Sequence, residues 1–331
     1  MNASLESTMR VKSSTEKDFL KLSGVNAVDV GYKYVDGKRT DEICIRVHVT
    51  KKKKTVYKKE MIPAEIDGIK TDVLEGTYVP QMLSPKAIDE LLSDTVKYRP
   101  LKGGISIGPD RSVGGNIFTG TLGCMVTDVA TGKPLMLSNY HVMCIDNGWH
   151  VGDQMNQPSL IDMGTHADGA GTLLRAVLSS HVDGAVASIN SGINSSAAIV
   201  DIGNVAGTAT ALLGDAVRKR GRTTLLTYGF VDGLNGTVNI DYGDGIGVKT
   251  LTSQILIRPD TTINPRFSNS GDSGSTIVNG DDKVIGLLFA GSSSAPFLTI
   301  ANPIGFVETE LAVFIEAGLQ PNLSKGGLEN E

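Results

Sequence analysis

Residues 269–275 read NSGDSGS, which sets Ser273 between glycines just after an aspartate, the kind of turn that can present a hydroxyl as a nucleophile. Taken alone, Gly-Asp-Ser-Gly equally suits a polar loop, so Ser273 needs partners. LMLSNYHVM at 135–143 supplies the first: an apolar strand ends in Ser-Asn-Tyr-His-Val and leaves His141 just past its end. A lone histidine there is ordinarily a structural hydrogen-bonding residue. The third piece is SSHVDGAVASI at 179–189, where Asp183 precedes the small-apolar alternation of Ala185, Ala187 and Ile189. A carboxylate that opens a buried strand needs a partner for its charge.

One constellation accounts for all three. Asp183 orients the imidazole of His141 and stabilises its protonated form, His141 takes the proton of Ser273, and Ser273 attacks a carbonyl carbon. The chain order is His, Asp, Ser, with gaps of 42 and 90 residues. That order differs from the two other common orders of the same triad. Two backbone N–H groups must also converge on the developing oxyanion, and Gly271 and Ser273 are the expected donors. Gly274 permits close approach behind the nucleophile. Asp272 is expected to hold the loop by pairing with a nearby amine or with backbone donors.

His150, His166 and His181, with Asp162 and Asp168 nearby, invite a metal reading, but none has tight ligand spacing, so ordinary loop residues are the better account. No phosphate-cradling Gly-x-x-x-x-Gly-Lys occurs.

The elements that must position these residues follow from composition and pattern. A chain of 331 residues with 40% hydrophobic content can bury a sizeable core, and 39 glycines with 5% aromatic residues favour many short strands over long helices. Residues 1–16 show no periodicity and read as a flexible tail. From 17 to 84 the chain reads as a small α+β domain, with VNAVDVGYKYVDGKRTDEICIRVHVT alternating on both sides of an Asp-Gly turn in the manner of a β-hairpin. Six lysines in TKKKKTVYKK at 50–59 raise the question of a polyanion site, against which a solvated loop at a sheet edge is the simpler reading.

Residues 85–102 read as a linker with a short helix, PKAIDELLSDTVKY, and RPLKGGISIGPDRSVGG as an open strap or an exposed, cleavable loop. From 103 to 331, and clearly after 117, short apolar segments punctuated by turn residues argue a β-sandwich or barrels, with a helix over 305–319.

The blocks LSNYHV, VDGAVA and GDSGS, with KVIGLLFAG and TIANPI behind them, resemble the chymotrypsin-fold, trypsin-like serine peptidases over roughly residues 103–318. More narrowly, VRKRGRTTLLTYGFVDG together with VGYKYVDGKRTDEICIRVHV and IDGIKTDVLEG resembles a bacterial and plant subgroup related to the plant NARROW LEAF1 protein, which carries a small domain ahead of the protease.

The resemblance implies a mainly β fold of two six-stranded antiparallel barrels with the site between them, a small N-terminal α+β domain, and a C-terminal helix. It implies serine endopeptidase activity through an acyl-enzyme, without metal or organic cofactor. Phe267, Phe289, Ala290 and Gly291 fall at substrate-binding positions. Phe267 stands six residues before Ser273 where an acid would select Arg or Lys, so small or apolar side chains are the expected preference. Phe289 and Ala290 occupy the place of a small polar residue that commonly supports the aspartate. A protein-binding module that keeps the triad without turnover is the alternative, and restraint by the N-terminal domain is a further expectation.

The net charge of −5 divides into +3 over residues 1–84 and −8 over the rest, which argues against a nucleic-acid partner. No apolar run has the length of a signal peptide core or a membrane span, so no membrane partner and a cytoplasmic location are expected. Three cysteines, Cys44, Cys124 and Cys144, suit free thiols, with a pairing of Cys124 and Cys144 left open. The expected partner is a protein or peptide substrate; a homo-oligomer is compatible with the sequence, and nothing in it specifies a stoichiometry.

Overall fold

The computed structural model describes residues 4–53, 55–82, 93–243 and 245–318. Strands hold 47% of the described residues and helices 12%, so the mainly β expectation holds. The later part of the chain closes two barrels. In the second, the strand order Ala216–Gly221, Thr276–Asn279, Val284–Ser292, Thr299–Pro303, Val248–Pro259, Leu225–Asp241 returns to its start because Leu225–Asp241 also pairs with Ala216–Gly221. In the first, Cys124–Asp128, Pro134–Ser138, Asp183–Ala187, Gly169–Leu178, Gln154–Asn156 and Ile105–Pro109 follow in order to Gly120–Leu122, which Gly123 alone separates from Cys124–Asp128.

Each barrel has its own apolar core. Ile105, Ile107, Leu122, Met136 and Leu173 fill the first, and Val231, Ile255, Ile257, Phe267, Ile277 and Leu288 the second. Leu137, Val186, Val278, Leu287, Val307 and Leu311 form a third cluster that joins residues of both barrels.

The N-terminal segment extends the second sheet. Val25–Val35 pairs antiparallel with Leu225–Asp241, then Lys38–Val49 and Ile69–Glu75 follow outward. The predicted hairpin turn is present, with Asp36 and Gly37 at φ of 49° and 76°, the paired positive values that a tight two-residue turn requires. The described lysines of the basic run are exposed.

Three expectations need correction. Where a flexible tail is expected over residues 1–16, the chain forms the helix Leu5–Phe19, capped by Ser4 accepting from the N–H of Ser7 at 3.1 Å. Its buried face hides from a hydropathy reading because it carries Thr8 and Lys12 beside Val11 and Phe19; the Lys12 ammonium donates to Thr237 at 2.8 Å and pairs with Glu16. Ile105–Pro109 is a fully buried barrel strand and not an exposed loop. The C-terminal helix spans Ile304–Leu311 only: Ala312 turns left-handed at φ 49°, and Val313–Phe314 then pairs with Cys124–Asp128. The helix expected within 85–98 lies largely outside the described residues. Among the described residues no helix is long and apolar enough to cross a membrane.

Candidate active site

The strand Pro134–Ser138 runs into a single helical turn, Tyr140–Met143, and pairs with Asp183–Ala187 in a register that sets Ser138 opposite Ala185. Continued two residues, that register brings the start of the second strand alongside His141. Asp183 and His141 are fully buried there, and the Nδ1–H of His141 donates to Asp183 Oδ2 at 2.5 Å. The backbone N–H of His141 donates to Asp183 Oδ1 at 3.2 Å, so both carboxylate oxygens engage one residue. With the proton on Nδ1, the Nε2 lone pair is free, and Nε2 is buried without a hydrogen-bond partner among the described residues.

Tyr242 is a residue the sequence reading missed. Its hydroxyl donates to Asp183 Oδ2 at 2.8 Å and its ring stands 5.9 Å from that of His141. Burial, and then the charge of Asp183, raise its phenol well above the ordinary value, so it stays a donor. This hydroxyl does for Asp183 what Phe289 and Ala290 have no side-chain group to do. Asn139 and Asn302 complete the support: Asn139 Nδ2 donates to the Asp183 carbonyl at 2.7 Å, and Asn302 Oδ1 accepts the Asp183 N–H at 3.1 Å.

Ser273 sits on the turn that links the barrels. Its carbonyl accepts the N–H of Thr121 at 2.7 Å, and the hydroxyl of Thr121 donates to the Gly271 carbonyl at 2.9 Å. Gly274 must be glycine: φ is +94°, and a Cβ would lie 2.1 Å from the Thr121 carbonyl oxygen and 2.2 Å from the hydroxyl of Ser138. That crowding packs the serine turn against the end of the strand that carries His141. Asp272 holds the turn as expected. Its carboxylate accepts from the N–H groups of Thr223 at 2.9 Å, Thr224 at 3.1 Å and Asn269 at 2.9 Å, and stands 3.3 Å from the Lys219 ammonium. Lys219 is fully buried; desolvation lowers its pKa and Asp272 opposes the shift.

The Ser273 hydroxyl donates to the Phe289 carbonyl at 2.9 Å and makes no hydrogen bond to His141. What surrounds the serine explains its burial. Tyr78–Pro80 forms a strand along the edge of Val284–Ser292, pairing Tyr78 with Ser292, Val79 with Gly291 and Pro80 with Ala290. One residue further, the Gln81 carbonyl oxygen accepts the N–H of Gly271 at 2.6 Å and that of Ser273 at 3.3 Å, while the Gln81 N–H donates to the Phe289 carbonyl at 3.2 Å.

The remaining predicted residues divide by the part that faces Gln81. Gly291 lies bare against its side chain, since a Cβ there would sit 2.2 Å from Gln81 Nε2. Ala290 and Phe289 present backbone, the Phe289 ring being buried with Val238, Leu256 and Ile300. Phe267 is buried in the second barrel's core, its ring 5.9 Å from the Lys219 ammonium. The histidines and aspartates weighed as ligands are dispersed: His166 pairs with Asp110, His181 stacks on Phe306, Asp162 pairs with Arg222 and Asp168 with Lys97. A cavity of about 790 Å³ beside Met9, Leu234, Ile255 and Phe306 includes none of the candidate residues in its lining.

No family model matches the chain, and no curated protein sequence matches it. Among solved structures, Thermobifida fusca protease A is similar at 19% identity over 66% of this chain and 99% of its own, with a TM-score of 0.48. A glutamic-acid-specific serine protease is similar at 19% identity over 65% of this chain and 100% of its own, with a TM-score of 0.49. Nocardiopsis protease is similar at 20% identity over 66% and 99%, with a TM-score of 0.47.

Proposed function

We propose that this protein is a serine endopeptidase whose nucleophile is Ser273, with His141 as general base and Asp183 as its orienting carboxylate. The observation that carries the reading is the convergence of the Gly271 and Ser273 N–H groups on one peptide carbonyl oxygen, beside the hydroxyl of Ser273. Donors so preorganised stabilise the oxyanion of acyl transfer, and loss of one costs on the order of 3 kcal/mol of transition-state stabilisation. The His141–Asp183 pair supplies the base: Nδ1 is committed to the carboxylate and Nε2 has nothing else to bind.

In the reaction the Ser273 hydroxyl turns from the Phe289 carbonyl to Nε2, gives up its proton and adds to the substrate carbonyl. His141 then returns that proton to the leaving amine. A substrate binds as a strand along the edge of Val284–Ser292, the place that residues 78–81 now fill. The N-terminal segment therefore restrains the enzyme.

The filled cleft and the hydroxyl turned away from His141 favour a second reading, a module that holds a peptide strand without cutting it. Incubation of the wild type, Val79→Pro and Ser273→Ala with a peptide library, read by mass spectrometry, separates the two. Val79→Pro is expected to loosen the covering strand and produce cuts that vanish in Ser273→Ala. Capture of peptides without cuts in Val79→Pro, or cuts that persist in Ser273→Ala, contradicts the peptidase reading.

A further inference from the structure

Resting on the peptidase reading, we propose that residues 78–81 are the enzyme's own substrate and that it cuts the peptide bond between Gln81 and Met82 within the same chain. The strand lies as a substrate must. The Ser293 N–H donates to the Thr77 carbonyl at 3.1 Å and the Gln81 N–H to the Phe289 carbonyl at 3.2 Å. In an antiparallel ladder hydrogen-bonded pairs alternate, so Val79 opposite Gly291 is the bonded pair between them, and Tyr78 and Pro80 fall at non-bonded positions. Proline, which has no N–H to give, stands where none is needed. The pairing ends at Gln81, whose carbonyl oxygen occupies the convergence point of Gly271 and Ser273.

The Gln81 side chain is 5% exposed and rests on Gly291, where any Cβ would collide with it. Its Oε1 is buried without a hydrogen-bond partner among the described residues. The buried side chain is neutral, so it needs no counter-charge there, as a carboxylate of the same length would.

The strand is also anchored. Tyr78 is buried, and its hydroxyl donates to His48 Nδ1 at 2.5 Å; His48 Nε2–H in turn donates to Asp29 Oδ1 at 3.2 Å. Asp29 pairs with the fully buried Arg46, which reaches Asp232 at 2.6 Å. A continuous polar chain thus ties the covering strand to the N-terminal sheet and to the second barrel, and delivers Gln81 to the serine at an effective concentration no free peptide matches.

The chemistry balances without a co-reactant beyond water. Ser273 Oγ adds to the Gln81 carbonyl carbon as His141 Nε2 takes its proton. The bond to the Met82 nitrogen breaks and His141 protonates that amine, leaving an ester between Gln81 and Ser273. Water, deprotonated by His141, adds to the ester carbon; the bond to Ser273 Oγ breaks as His141 hands the proton to Oγ, which restores the serine and leaves a Gln81 carboxyl group that ionises.

The test uses the full chain, freshly folded and analysed by mass spectrometry under denaturing conditions, because the two products stay hydrogen-bonded within one sheet. The wild type is expected to yield residues 1–81 and 82–331 at a first-order rate independent of protein concentration. Ser273→Ala is expected to slow the cut by about a thousandfold or more, and Gln81→Glu, with folding verified by circular dichroism, by about tenfold or more. A wild type that stays intact at this bond while a fluorophosphonate still labels Ser273 overturns the proposal and leaves the peptidase reading standing. An intact chain that no fluorophosphonate labels, even as Val79→Pro, overturns both. A rate that rises with concentration overturns cleavage within the chain.

Discussion

Tyr242 donates its hydroxyl to Asp183 Oδ2 at 2.8 Å, onto the same oxygen that accepts the Nδ1–H of His141. Two donors on one carboxylate oxygen fix its direction and hold its charge beside the His141 ring, where the proposed reaction would form an imidazolium. Tyr242→Phe removes one of them and leaves the ring contact with His141 in place. The account predicts a fall in kcat/KM of about tenfold, carried by kcat, since a hydrogen bond to a charged group contributes about 1.5–3 kcal/mol. Peptide hydrolysis in the Val79→Pro background measures it. An unchanged kcat would remove Tyr242 from the proton-transfer apparatus.

Asp272 ties the serine turn to the segment that follows Ala216–Gly221. Asp272→Asn keeps the shape of the carboxylate but leaves the Lys219 ammonium buried without its counter-charge. Breaking such a pair from one side costs about 3–5 kcal/mol. Urea unfolding of the Ser273→Ala chain with and without Asp272→Asn is expected to show a loss of that order. A loss within about 0.5 kcal/mol, the range of ordinary surface substitutions, contradicts the role.

All three cysteines are free and buried, which resolves the pairing of Cys124 with Cys144 that the sequence leaves open. Burial pushes the thiols of Cys44 and Cys124 up to about 12 and raises that of Cys144 further. The native protein at neutral pH is therefore expected to take up no maleimide, and the denatured protein three equivalents. Rapid labelling of any one in the folded chain contradicts the packing described.

Acid should unfold the protein through the anchor network. Burial by itself would raise the carboxyls of Asp29 and Asp232, yet the Arg46 guanidinium holds both below the ordinary carboxylate range. Groups so depressed stabilise the fold above the unfolded value and lose that contribution as pH falls through the folded one, here below about pH 4. Thermal unfolding from pH 7 downward is expected to show Tm falling steeply in that window, and less steeply in Asp29→Asn. An identical acid slope in the variant contradicts it.

Much of the site is legible in the sequence because each part carries a local chemical oddity: a carboxylate opening a buried strand, a histidine ending one, glycines where side chains cannot fit. The barrels are legible from short apolar runs and regular turns. Tyr242 is not, since a tyrosine in a polar hairpin has no local reason to face Asp183; only the pairing of Leu225–Asp241 with its neighbours brings it there. The helix Leu5–Phe19 hides because its buried face contains a lysine whose partner, Thr237, lies 225 residues away. Gln81 is the hardest to foresee. Nothing in YVPQM marks a strand, and its place depends on an edge supplied by residues more than two hundred positions later.

The central claim is that His141 activates Ser273, and covalent labelling of Ser273 tests it most directly. A fluorophosphonate incubated with the Val79→Pro chain, the adduct located by peptide mass spectrometry, is predicted to modify Ser273 and no other serine, with His141→Ala slowing the reaction by about a hundredfold or more. Failure of Ser273 to form an adduct, or equal labelling rates with and without the His141 imidazole, would contradict the account.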